Sequence, residues 1–265
     1  MAKGRLRVFK IGGKVVEDEQ QLSTFLQSFA QLKENKILVH GGGKWVSEMS
    51  ERLGIEVKII EGRRITDAET LEVVKMMLAG VANKNVVSKL QRYDCNAIGM
   101  TGADGNTIKA EKRPLKNGID YGFVGDVKTV NHLVIEKLIS AGLVPVFAPM
   151  THDGEGNLFN TNADTIASSI AVGMAKEFDV VLNYCFELNG VLEDIDDPAS
   201  VIPVINHANY TQLKADGIIN AGMIPKIDNA FDALNAGVMA VRIMNSKHIV
   251  ELAEGKSQLG TLILK

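Results

Sequence analysis

Leu38-Val39-His40-Gly41-Gly42-Gly43-Lys44 sets three glycines and a lysine directly behind a short apolar run. A phosphate-binding P-loop needs a glycine five positions before its Gly-Lys and a hydroxyl residue after it, because backbone N–H groups wrap the phosphates and the hydroxyl holds magnesium. Leu38 and Trp45 stand at those positions, so the P-loop pattern fails. Gly12-Gly13-Lys14, followed by Val15, fails in the same way. Both loops nevertheless follow apolar runs, Leu6 to Ile11 and Ile37 to Val39, and lead into amphipathic segments. Glycine at such a strand-to-helix turn lets backbone N–H groups come close to a ligand.

The periodicity on either side of these loops predicts an α/β protein. Leu22, Phe25, Leu26, Phe29 and Leu32 fall at helical spacing, and Val46, Met49 and Leu53 mark a short helix that Gly54 can end with a positive φ. Thr66-Asp67-Ala68-Glu69 reads as a capping box opening a long helix to about Arg92, with Leu71, Val74, Leu78 and Val81 on its stripe. A strand at Ala97 to Met100 precedes a hairpin insertion built from Thr107 to Lys112 and Gly122 to Val130. Asn131 is placed to cap a helix, Leu143 to Ala148 reads as a buried strand, and Asp153-Gly154 with Gly156-Asn157 marks a tight hairpin. Beyond Gly173 the pattern restarts with a strand at Val180 to Asn183, and it ends in Thr261 to Leu264. This alternation implies a largely parallel open sheet between helix layers, a three-layer α/β/α sandwich. Two lobes are expected, residues 1–173 and 174–265, sharing one continuous sheet because no Ser/Gly-rich linker parts them.

The bulk properties exclude several classes. A chain of 265 residues with 46% hydrophobic composition can bury a large core. Its net charge of −3 and its scattered 29 basic residues give no footprint for nucleic acid. The two cysteines, Cys95 and Cys185, make neither a disulfide framework nor a metal motif, and read as small buried thiols. Glycines interrupt the basic start before a signal-peptide core can form, and the longest apolar run, Ala141 to Met150, falls far short of the about 20 residues of a membrane span. A cytoplasmic protein without membrane or nucleic-acid partners is the expectation.

Four groups of residues stand out chemically. Lys10 lies inside an otherwise apolar strand, where an ammonium group needs an anion or a carboxylate partner. In Gly222-Met223-Ile224-Pro225-Lys226, the proline suits the first turn of a helix, and Lys226 then sits at its positive end. That costs about 0.3–1 kcal/mol unless an anion binds there, a cost a solvated lysine also tolerates. Asn160-Thr161-Asn162-Ala163-Asp164 contains more polar side chains than a helix cap needs, leaving Asn160 and Asp164 free to face the strand ends. Arg63-Arg64 precedes a helix cap and reads either as a carboxylate grip or as a solvated turn.

Taken in order, Lys10-Ile-Gly-Gly, His40-Gly-Gly-Gly, Gly62-Arg-Arg-Ile-Thr, Asn160-Thr-Asn-Ala-Asp and Gly222-Met-Ile-Pro-Lys resemble the N-acetylglutamate kinases, from about residue 6 to the C-terminus. The resemblance implies the amino acid kinase fold, which binds ATP without a P-loop. It also implies transfer of a phosphoryl group from ATP to the γ-carboxylate of an N-acylglutamate in arginine biosynthesis. By the same resemblance Lys10 and Lys226 stabilise the transferring and leaving groups and contact the nucleotide, while Asp164 holds both. Gly12, Gly13, Gly42 and Gly43 donate N–H bonds to the phosphoryl group, the last two also touching the acylglutamate. Arg64 and Asn160 bind the acylglutamate, magnesium rides on the ATP phosphates, and the N-terminal lobe carries the acyl substrate and dimer interface while the C-terminal lobe carries ATP.

Three departures from the family modify that picture. The family's Thr-Asp or Ser-Asp, followed by a Val-x-Gly turn, is replaced by Asn183-Tyr184-Cys185-Phe186-Glu187-Leu188-Asn189-Gly190, which reads as about three residues longer and leaves Asn183 and Glu187 as candidate nucleotide contacts. Arg63 and Lys44 add two cations beside the acyl pocket, pointing either to an acidic acyl group such as succinyl or to plain solvated side chains. Only about five residues precede the first strand, so an arginine-insensitive homodimer is expected. Two other classes compete: an oxidoreductase using Gly41-x-Gly43-x-x-Val46 with Glu61 as a ribose acid, and a non-catalytic amino-acid sensor.

Overall fold

The computed structural model describes residues 3–60, 62–219, 223–256 and 258–265. Eight strands form the main sheet: β1 (Gly4–Ile11), β2 (Asn35–His40), β3 (Ala97–Met100), β4 (Val144–Phe147), β5 (Phe178–Phe186), β6 (Val204–Ile205), β7 (Ala240–Asn245) and β8 (Thr261–Ile263). Their spatial order is β6-β8-β7-β5-β1-β2-β4-β3, and every neighbouring pair is parallel except β7 with β8. One sheet therefore runs through both halves of the chain, as the missing linker implied. β1 pairs with β2 on one side and with β5 on the other, so strand order reverses there and a crevice opens beyond the carboxyl ends.

Alternate side chains of the same strands build the two cores. Phe9 and Ile11 of β1 pack with Phe25, Phe29 and Val86 on one face of the sheet. Leu6 and Val8 pack with Ile166, Ile170 and Ile227 on the other. Lys10 belongs to the second face, toward helix Ala163–Met174, because its parity along the strand is that of Leu6 and Val8. The insertion forms a separate sheet in which Ile108–Lys112 pairs antiparallel with Gly125–Val130, and the expected hairpin Met150–His152 with Leu158–Asn160 lies in the same sheet.

Several local expectations change. The capping residue of helix Ala68–Val74 is Asp67, whose carboxylate accepts from Thr70 N at 2.8 Å, and not Thr66. Thr66 is fully buried and its backbone is engaged by Tyr121 and Phe123 of the insertion, so it cannot adopt the cap position. The long helix is continuous to Arg92 but widens to a π-helix over Lys75–Ala82. The wider turn rotates the buried stripe onto Met77, Leu78 and Ala82 and leaves Val81, expected inside, 45% exposed. Asn131 stands at the start of helix His132–Ser140 without a side-chain cap bond. β5 continues through Phe186 instead of ending at Asn183, so the stretch read as an insertion is strand. Glu187-Leu188-Asn189-Gly190 then follows the strand as a bend.

Candidate active site

At the carboxyl end of β1, Lys10 lies in register with Tyr184 of β5 and Val39 of β2. Its side chain is 10% exposed and meets the first turn of helix Ala163–Met174, where Nζ lies 2.9 Å from Oδ1 of Asp164. The contact is a charge pair without aligned hydrogen-bond geometry, since Oδ1 has no hydrogen-bond partner. Asn162 caps that helix by accepting from Asp164 N and Thr165 N, which leaves the Asp164 carboxylate free of capping. Helix Ile224–Asn235 starts with Pro225 in its first turn and buries Ile227, Phe231 and Leu234, and this brings Lys226 under the charges of Lys10 and Asp164. Burial holds the Lys226 pKa below the usual lysine range, with Lys10 adding to that and Asp164 and Glu187 opposing it. Gly222, at the head of this motif, lies outside the described residues, as does Glu61 of the oxidoreductase alternative.

Phe186 lies against both ammonium groups, its ring centroid 3.9 Å from Lys226 Nζ and 5.0 Å from Lys10 Nζ. No motif marks it in the sequence, where local pattern ends the strand three residues earlier.

The glycine loops meet back to back. Gly41 N donates to Ile11 O at 3.0 Å, and a Cβ on Gly41 would lie 2.9 Å from Gly13 N. Gly42 has φ +136°, and a Cβ there would strike Leu78 of the π-helical segment. Gly12 and Gly43 face open space, so room for a ligand, not packing, accounts for glycine at these two positions. Gly13 and Gly43 begin helices Gly13–Glu17 and Gly43–Arg52, and N–H groups in a first helical turn have no intrahelical acceptor.

A cavity of about 480 Å³ opens beside these loops, lined among others by Gly42, Gly43, Arg64, Asn160 and Arg113. Arg64 is fixed by donating from Nη2 to Gly43 O at 2.8 Å and to Ser47 Oγ at 2.7 Å. Its Nη1 is buried without a partner, and burial lowers the guanidinium's pKa. An unpaired buried donor on a cation leaves one strong hydrogen bond to be made by an anionic ligand. Asn160 reaches the same cavity and donates to Thr66 Oγ1 at 3.1 Å.

Arg113, at the end of the insertion hairpin, enters the cavity wall with its guanidinium donating to Asp126 at 3.0 and 2.5 Å. Its sequence context, Lys112-Arg113-Pro114, offers no signal beyond charge. Arg63 and Lys44 both line the rim but are exposed, and Lys44 is spoken for by Glu48 at 3.5 Å, which favours plain solvated side chains.

One expected contact must be withdrawn. Asn183 is fully buried on the sheet face carrying Phe9 and Cys185, and donates to Val8 O and Val181 O, so it cannot meet a nucleotide in the crevice. Glu187 is accessible at the crevice, with Lys14 at 3.6 Å. His40 is neutral and structural: burial pushes its pKa down to about 4, and its ring bonds Gly41 O at 2.8 Å and Asn83 at 3.1 Å. Both cysteines are buried thiols, with Cys185 pushed up to about 12 by burial.

The model of the amino acid kinase family matches residues 5–245. The chain belongs to the amino acid kinase family. Within it, the chain is 55% identical over 260 residues to an acetylglutamate kinase of Cytophaga hutchinsonii, covering 98% of each protein. It is 53% identical to the acetylglutamate kinase of Bacteroides fragilis, over 91% of this chain and 92% of that one. Among solved structures, smu.665 of Streptococcus mutans UA159 superposes with a TM-score of 0.77 at 28% identity over 98% of both chains. Amino acid kinase membership accounts for glycine loops without a P-loop, and it leaves the oxidoreductase reading without support.

Proposed function

We propose that this chain is an acetylglutamate kinase, an ATP-dependent phosphotransferase that acts on the γ-carboxylate of N-acetyl-L-glutamate in arginine biosynthesis. The observation that carries the reading is the meeting of Lys10, Asp164 and Lys226 at the carboxyl ends of β1 and β5, beside a cavity holding the unpaired Arg64 donor. In the reaction a γ-carboxylate oxygen attacks the terminal phosphorus of ATP as the bond to ADP breaks. The acceptor, with an ordinary pKa of about 4.3, is already ionised at neutral pH, so no general base is needed. Catalysis then reduces to positioning and to charge neutralisation.

Lys10 neutralises charge on the phosphoryl group in transfer and Lys226 charge on the ADP leaving group, while Asp164 keeps both ammonium groups in place. The N–H groups of Gly12, Gly13, Gly42 and Gly43 bind phosphoryl oxygens. Arg64 Nη1 takes the α-carboxylate, and Asn160 the acyl amide or carboxylate. Residues 1–173 hold the acylglutamate and residues 174–265 the ATP, with Glu187 the remaining candidate on the nucleotide side. Among the described residues no group of three or more His, Cys, Asp or Glu stands ready to hold a metal. In this reading magnesium rides on the ATP phosphates, whose charge it reduces.

A cytoplasmic homodimer completes the proposal. Met76 and Val81 of the π-helical segment, 48% and 45% exposed, offer it apolar surface. Among the described residues no helix is long and apolar enough to cross a membrane. The acidic-acyl alternative is not favoured, given the acetylglutamate kinase names of the relatives and the Lys44–Glu48 pair. ATP-dependent formation of a hydroxylamine-trapped γ-glutamyl phosphate from N-acetylglutamate tests the reading. Nucleotide binding without any hydroxamate would instead make the chain a sensor.

A further inference from the structure

The structure assigns a positioning role to Phe186. We propose that its ring holds the Lys10 and Lys226 ammonium groups in one shared cation–π contact that adds no negative charge to the site. This rests on the kinase reading above.

The ring is set by its strand. Phe186 is the last residue of β5 and shares a face with Tyr184, which is the neighbour of Lys10 across the sheet. The Tyr184 ring lies 6.1 Å away at an interplanar angle of 14°, and its hydroxyl donates to the Asp164 main-chain oxygen at 3.4 Å. Both lysines then find the same ring, at 3.9 and 5.0 Å from its centroid.

The charges around Lys226 explain what a ring supplies. From β1 it faces Lys10, from helix Ala163–Met174 it faces Asp164, and from the turn after β5 it faces Glu187, which also neighbours Lys14. Tyr184 adds no charge, because burial raises its hydroxyl pKa. Asp164 is in contact with Lys10, while Lys226 feels Asp164 and Glu187 through their charge without a contact ion pair. A second carboxylate would hold both lysines but would repel the incoming triphosphate. An aromatic quadrupole attracts cations while carrying no net charge, so the site stays positive for its anionic ligand.

Phe186→Leu removes the ring and keeps an apolar residue, whereas Phe186→Tyr keeps the ring. Titration of the Lys226 side chain by NMR in the substrate-free protein, with its signal assigned by Lys226→Gln, reads the ring without requiring turnover. In Phe186→Leu the Lys226 midpoint should fall by about half to one pH unit, three- to tenfold in proton affinity. The alkaline limb of kcat/KM for ATP should move down with it, and KM for ATP should rise about three- to tenfold with KM for the acylglutamate unchanged. Phe186→Tyr should titrate like the wild type. An unchanged Lys226 midpoint in Phe186→Leu, or a Tyr variant shifted as far as the Leu variant, overturns the proposal. Phe186→Met serves if the Leu variant does not fold. A wild-type protein forming no hydroxamate refutes the kinase reading alone, because the titration still reports on the ring.

Discussion

Replacing Asp164 with asparagine keeps the shape of the site and deletes the carboxylate in contact with Lys10. The main-chain groups of residue 164 still accept from Tyr184 and donate to the Asn162 cap, so the substitution isolates charge. At a separation of 2.9 Å and an effective dielectric of about 20, the lost attraction is about 6 kcal/mol before corrections. Asp164 is 30% exposed, and Lys10 regains some hydration once released. These offsets leave about 2–3 kcal/mol, a loss of turnover on the order of a hundredfold. The two ammonium groups also lose a shared counter-charge. Asp164 raises the Lys226 pKa, so its removal lowers that pKa further, and activity that needs the charged form fails at lower pH. Initial rates of ADP release at saturating ATP and N-acetylglutamate, measured from pH 6 to about 10, read both effects. A variant within threefold of wild-type turnover, with an unmoved alkaline limb, would show that the acid does not tether the lysines.

Other substitutions test the remaining parts. Arg64→Lys keeps the charge but loses the forked donors that bind Gly43 O and Ser47 while leaving Nη1 free, so KM for N-acetylglutamate should rise about ten- to a hundredfold with KM for ATP little changed. Gly41→Ala drives a Cβ to 2.9 Å from Gly13 N and 3.3 Å from Gly12 C, and main chain cannot yield as a side chain does. It should cost about 1–3 kcal/mol in urea unfolding and abolish most activity by separating the loops. His40 makes stability fall in acid. Its folded pKa of about 4 lies below the ordinary 6.5, so between these values the unfolded chain binds the proton and the folded one does not. Stability present above pH 6.5 is therefore lost as pH falls toward 4, by about 3 kcal/mol for this group. Urea unfolding of His40→Gln should lack that component of the acid slope.

The elements that periodicity alone could fix were the ones it placed well. The helix stripe Leu22 to Leu32, the strands Ala97 to Met100 and Leu143 to Ala148, and the hairpin at Asp153 to Asn157 all depend on local pattern and turn chemistry. The misplacements came from long-range contacts. The insertion claims the Thr66 backbone and moves the cap to Asp67, and the π-helical widening turns Val81 outward. β5 runs on through Phe186 because β1 pairs with it as far as Cys185 and β7 as far as Phe186, which no local propensity could announce.

From the sequence by itself came the fold class, the glycine loops, and the anomaly of an ammonium group in an apolar strand. These are local facts: alternation, spacing and a charge out of place. Only the tertiary structure decided which residues meet, because strand parity and register choose the face on which each side chain emerges. That is why Lys10 and Phe186 share a crevice while Asn183, three residues before Phe186, is sealed on the opposite face of the same strand.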